Sequence, residues 1–105
     1  MITHTMIVSF TESIPDAELD RFLKDIEKIV RDSGGVRSFA AQRHIRVPAD
    51  DYSPVFVSTA IIQFGLDSLD ALNASFTASG LEELIAGWQA RYPYQVVWAN
   101  HESLA

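Results

Sequence analysis

The stretch "THTMIVSF", residues 3–10, decides how the chain is read. As a strand it alternates its side chains, so Ile2, His4, Met6, Val8 and Phe10 share one face, and Thr3, Thr5, Ile7 and Ser9 share the other. The histidine thus stands on the apolar side. It either caps the core as a hydrogen-bonded structural residue or looks into a cavity and handles protons.

Working outward, "TESIPDAELDRFLKDIEKIVRDSGG" repeats Leu19, Phe22, Leu23, Ile26, Ile29 and Val30 at three- and four-residue steps, the mark of an amphipathic helix. Ser13 with Asp16 predicts a capping box, and Gly34 with Gly35 a stop. "VRSFAAQRHIRV" reads as a second strand, followed by a loop around Pro48 and Pro54. "VFVSTAIIQF", 55–64, reads as a central third strand. Two helices follow, roughly 67–78 and 80–91, with Ser79 and Glu82 as a second capping signal. Leu69, Leu72, Asn73 and Phe76 are expected to face inward on the first, and Leu81, Leu84, Ile85 and Trp88 on the second. "YQVVWANHESL" supplies the last strand.

The order β-α-β-β-α-α-β predicts a single α+β domain over 1–105. The expected form is a ferredoxin-like split βαβ arrangement, a four-stranded antiparallel sheet with helices on one face. The other face would carry Ile7, Val57, Ile61 and Val97 among Thr5, Ser9 and Thr59. A second copy of the sheet is the simplest cover, so a homodimer through the sheet face is expected.

Bulk properties narrow the function. The chain has 105 residues, a formal charge of −6 and no cysteine. Acidity argues against nucleic acid or an anionic membrane as a partner, since both call for a basic patch. Without cysteine there is no disulfide or thiolate chemistry, and three histidines on three strands lack ligand spacing, so no metal is expected. No cofactor-binding glycine loop or nucleophile motif is present, so no cofactor is expected. No apolar run approaches the ~20 residues that span a bilayer, and a cytoplasmic protein is the expectation.

The candidate catalytic residue is His4. With the first strand between the last and the third, either Trp98, Asn100 and Glu102 or Ala99 and His101 share its face, according to register. Asn100 or Glu102 would hold one imidazole nitrogen and free the other as a base. Arg43 shares parity with Phe39 and Ala41 and is a candidate to hold a carboxylate or enolate. Trp88, Trp98, Phe56 and Phe76 are candidate walls for a flat hydrophobic or aromatic small molecule. Ser58, with Ala60 and Gly87, is read as leaving room, and Tyr52 as covering the mouth.

"HTMIVSF" and "IIQFGLDSLDAL" resemble the opening strand, and the end of the third strand with its following helix, in the dimeric α+β barrel superfamily. That superfamily includes cofactor-free monooxygenases of antibiotic pathways, stress-responsive barrel proteins and plant polyketide cyclases. The resemblance places His4 on the active-site histidine of the polyketide cyclase and stress-responsive branch. The chain departs from that branch in "NASFTASG", where Ser75 stands near an expected tyrosine and no histidine follows. Length and pattern also resemble the RedY-like (HapK-like) proteins of prodiginine and carbazole-type alkaloid pathways. The resemblance implies a small secondary-metabolism cyclase acting on a reactive aromatic, indole, pyrrole or polyketide-like intermediate. The alternatives are a cofactor-independent monooxygenase on the same fold, with its substrate positioned by Trp98, Asn100 and Arg43, or a non-catalytic binding or carrier protein for a hydrophobic intermediate.

Overall fold

A computed structural model describes residues 1–104. Its elements run β1 (Ile2–Phe10), α1 (Asp16–Asp32), β2 (Val36–Arg43), a short 3-10 turn (Pro48–Tyr52), β3 (Ala60–Leu66), α2 (Leu69–Ser75), α3 (Leu81–Arg91) and β4 (Tyr94–Glu102). The sheet is antiparallel in the order β2-β3-β1-β4, so β1 is hydrogen-bonded along both edges. This is the expected α+β ferredoxin-like arrangement.

The helices cover the face that carries Val8, Phe10, Ala60, Ile62, Phe64 and Leu66, all buried. Against it α1 lays Leu19, Phe22, Ile26 and Val30. Phe22 is fully buried, its ring edge-on to Phe10, Trp88 and Tyr94 at 5.2–5.4 Å between centroids. Trp88 ties α3 to α1 by donating from Nε1 to Asp25 Oδ2 at 3.0 Å, and Arg91 covers its ring at 4.3 Å.

Several boundaries differ from the sequence reading. β3 begins at Ala60, not Val55. Residues 57–59 instead cross the end of β1 through one backbone bond, from the Thr59 amide to the Val8 carbonyl at 2.6 Å, and two side-chain bonds: Ser9 Oγ donates to the Val57 carbonyl at 2.8 Å, and the Phe10 amide donates to Thr59 Oγ1 at 3.0 Å. β2 stops at Arg43, and the loop beyond is held by His44 and Arg46 against Asp50 and Asp51. α2 is two turns long, because the Ser75 hydroxyl donates back to the Leu72 carbonyl at 2.7 Å and the chain unwinds after it. Leu69 is 61% exposed and Asn73 is also exposed, so of the four residues expected to face inward only Leu72 and Phe76 do.

Neither predicted capping box forms. α1 starts after Pro15 without a side-chain cap, and α3 starts after Gly80 at φ 84°. That left-handed conformation turns the chain from α2 into α3 and favours glycine over any residue with a Cβ. Ser68 is the side-chain cap that does form, accepting from the Ala71 amide at 3.1 Å.

The opposite face of the sheet is bare. Ile7 stands between Ile61 and Val97, and the three are 37%, 40% and 50% exposed. Beside them Thr5 is nearly buried, its hydroxyl bonded to His101 Nε2 at 2.7 Å and accepting from Gln63 Nε2 at 3.1 Å. Val57, expected on this face, lies ahead of β3 in the crossing segment.

Phe22→Ala removes the ring on which sheet, α1 and α3 converge. It is expected to destabilise the domain by about 3–5 kcal/mol, measured by urea unfolding. A loss under about 1 kcal/mol would mean that the core is organised elsewhere.

Candidate active site

β1 and β4 set the site. Their register puts His4 opposite Asn100 and Met6 opposite Trp98, while β3 puts Phe64 on the other side of His4. Parity sends these side chains to the helix-covered face. There they line a cavity of about 240 Å³, closed over by Ile26 and Val30 of α1, Ser75 and Phe76 at the end of α2, and Leu81, Glu82 and Ile85 of α3.

His4 is 1% exposed, the only histidine in the buried interior. Its ring is surrounded by Phe64, Phe76 and Trp98 at 4.9, 5.2 and 5.5 Å, the last two edge-on. Phe76 and Trp98 are themselves near-parallel, 8° apart, and stack on one another at 5.4 Å between centroids. Nδ1 lies 2.6 Å from Asn100 Oδ1. With the amide oxygen as acceptor, Nδ1 carries the proton and Nε2 carries the lone pair. Nε2 has no hydrogen-bond partner among the described residues and is not sealed from the cavity.

Burial pushes the His4 pKa below its ordinary value, because the aromatic surroundings solvate an imidazolium poorly; the bond to Asn100 opposes this more weakly. The imidazole is therefore neutral near pH 7. It is a base with one nitrogen anchored and the other presented to the cavity.

Of the sequence candidates, the structure brings His4, Asn100, Trp98 and Phe76 together. The others stand apart. Trp88 is buried between α1 and α3 and does not border the cavity. Arg43 turns to the start of α1, where it pairs with Asp16 and Asp20, because those carboxylates lie within reach of an edge-strand cation. Tyr52 is 87% exposed on the 3-10 turn. Phe56 and Ser58 belong to the crossing segment at the far end of β1, where Ser58 Oγ donates to the Ala60 carbonyl at 2.9 Å. A strand starting at Val55 was the assumption that put them at the site. Gly87 faces open space outside α3, so it leaves no room within.

Sequence reading missed Phe64, Ile26, Val30, Ser75 and Glu82. Phe64 was legible as a covered-face residue of the third strand from its parity with Ala60 and Ile62, but its place opposite His4 depends on the register. Glu82 read as a helix-cap partner, and nothing local tied it to His4. Of the two other histidines, His44 pairs with Asp50 and His101 bonds Thr5 on the bare face. No group of three or more His, Cys, Asp or Glu side chains converges on a possible metal site among the described residues, and no helix there is long and apolar enough to cross a membrane.

No family model and no curated protein matches the chain. Solved structures do. A dabb family protein with a ferredoxin-like fold from Mesorhizobium loti superposes with a TM-score of 0.72 at 18% identity, over 99% of this chain and 97% of its own. HapK from Hahella chejuensis gives 0.71 at 14%, over 100% and 94%. SnoaB, a cofactor-independent oxygenase from Streptomyces nogalater, gives 0.69 at 11%, over 98% and 94%. At such identities the likeness is one of fold: this chain has the ferredoxin-like α+β fold that the order of its elements suggested.

The Asn100 bond generates a spectroscopic expectation. Long-range ¹H–¹⁵N NMR at pH 7.5 should find His4 protonated on Nδ1, and Asn100→Leu should shift it toward the Nε2–H form. Titration should find His4 retaining its neutral form below pH 6.5, the unperturbed value. The depressed pKa makes the unfolded chain bind the proton first. The stability linked to His4 is therefore complete above the unfolded pKa and is lost as pH falls from there through the folded value. An Nε2–H tautomer in the unmodified protein would contradict the anchoring.

Proposed function

We propose that the chain is a small cofactor-free enzyme, a cyclase in which His4 moves a proton on a reactive aromatic, indole, pyrrole or polyketide-like intermediate. The observation that carries this reading is the unpartnered Nε2 of a buried, neutral histidine facing an aromatic-walled cavity. A structural histidine would be expected to satisfy both nitrogens.

In this reading the ligand lies flat against Phe76 and Trp98, and Nε2 takes a proton from an acidic C–H, N–H or O–H group. The resulting imidazolium keeps its Nδ1–H bond to Asn100 Oδ1. The carbanion or its heteroatom equivalent attacks a carbonyl carbon in the same ligand, forming the ring bond while the carbonyl π pair moves onto oxygen. The imidazolium then returns its proton to that alkoxide. Holding the two reacting carbons in contact supplies much of the rate, and proton transfer the rest.

A second reading rests on the fold shared with SnoaB. There, deprotonation by His4 would make a phenol or pyrrole electron-rich enough to react with dioxygen directly. Oxygen uptake with turnover would select it over the cyclase.

The bare sheet face supports a homodimer. A face with Ile7, Ile61 and Val97 in direct register is unusual for a monomer, and an identical face supplies matching apolar area. Two such sheets packed together complete the barrel and leave each cavity on the outside, under its own helices. Light scattering at micromolar concentration should give a dimer mass, and Ile7→Arg should give a folded monomer. A monomeric mass for the unmodified protein would end this reading.

The catalytic reading is tested with aromatic ligands first identified by their effect on the His4 NMR signals. For any ligand that turns over, His4→Gln should preserve binding and slow product formation by roughly 10²–10⁴-fold, the usual worth of a positioned general base. Unchanged product formation would remove His4 from the chemistry. Binding with no turnover in either protein would leave a carrier.

A further inference from the structure

The cavity wall is one-sided in its charge. His4 presents the Nε2 lone pair. The Ser75 hydroxyl lines the same space but has committed its proton to the Leu72 carbonyl at 2.7 Å, so only its lone pairs remain. Glu82 brings a carboxylate to the mouth. Gln89 is occupied with the Tyr94 backbone, accepting from its amide and donating to its carbonyl, both at 3.0 Å. No lysine or arginine borders the cavity. The first turn of α3 holds Glu82 and Glu83, which offset the positive end of the helix.

We propose that this cavity selects ligands by charge, with Glu82 as the specificity-determining residue. The ligand class is an aromatic compound that is neutral or cationic and carries a donor, such as an N–H heterocycle or an arylalkylamine. Ligands bearing a carboxylate or phosphate are rejected. The inference rests on the aromatic-ligand reading above and adds the sign of the charge.

The physical reason is desolvation. An acidic ligand would give up its hydration for a wall that carries a like charge and no cation to offset it. A donor finds acceptors at Nε2, Ser75 Oγ and Glu82, and a cation at the mouth also gains the π-faces of Phe76 and Trp98. The lining also holds two donors, the Tyr94 hydroxyl, which burial keeps protonated, and the Trp98 indole N–H, but both are uncharged and neither offsets the Glu82 carboxylate as a cation would.

Three probes sharing an indole ring separate the outcomes: tryptamine, 3-methylindole and indole-3-propionate, titrated calorimetrically into the full-length protein at pH 7 and low salt. Tryptamine should bind tightest and the propionate weakest, the two differing by about three- to tenfold. The margin should shrink as salt rises. Glu82→Gln should bring tryptamine down to the affinity of 3-methylindole. Glu83→Gln, in the same helical turn but off the cavity wall, should leave the preference intact.

Equal affinities for the three probes, or a preference for the propionate, would overturn the charge selection while leaving the aromatic site standing. An equal loss in Glu83→Gln would overturn the role of Glu82, since a general helix-end effect would then explain it. Failure of all three probes to bind at millimolar concentration would overturn both the inference and the aromatic-ligand reading on which it rests.

Discussion

The alternation of side chains along β1 is the constraint on which the rest depends. Because this strand is hydrogen-bonded on both edges, its two faces cannot rotate or slip without breaking two ladders at once. One parity delivers His4, Met6, Val8 and Phe10 to the helices, and the other delivers Thr5 and Ile7 to the bare face. The cavity and the apolar face therefore share one cause. A shift of one residue would exchange them, putting Ile7 under the helices and the histidine in water.

Placing a histidine at that depth costs stability at acid pH, since the aromatic rings around it cannot replace the water that would solvate its charge. The fold answers with a neutral imidazole anchored on one nitrogen. The anchor comes from β4, an edge strand, where Asn100 remains exposed on its outer side. That arrangement holds orientation and tautomer without a carboxylate, so the basicity of Nε2 is set mainly by burial. A carboxylate in place of Asn100 would have raised the pKa and favoured a charged ring.

Most charges elsewhere are used locally. Arg43 joins Asp16 and Asp20, Arg37 joins Asp67, and Arg46 joins Asp50 and Asp51, all near the surface. Such pairs are worth little individually in water. Their effect here is geometric: they turn every arginine of β2 and its loop away from the cavity. The cavity is thereby left with a single charged side chain, the Glu82 carboxylate.

The sequence by itself determined the element order, the pairing of a strand-borne histidine with an apolar face, and the inward stripe of α1. Period-2 and period-3.6 patterns report burial directly, so these were legible. It also narrowed the partner of His4 to Asn100, Glu102 or His101 and could go no further, because register depends on where the strands begin. Only the tertiary structure decided that register, and with it the 2.6 Å bond from His4 to Asn100. It also moved Phe56 and Ser58 out of the site, since β3 begins only at Ala60 and the segment ahead of it is held by the Ser9 hydroxyl on the Val57 carbonyl and the Phe10 amide on Thr59 Oγ1, a competition that propensity does not register. Glu82 and Ser75 border the same cavity as His4 only because α2 stops after two turns and Gly80 redirects the chain. Residues more than seventy positions apart come to line one cavity through a helix end, and no local pattern encodes that distance.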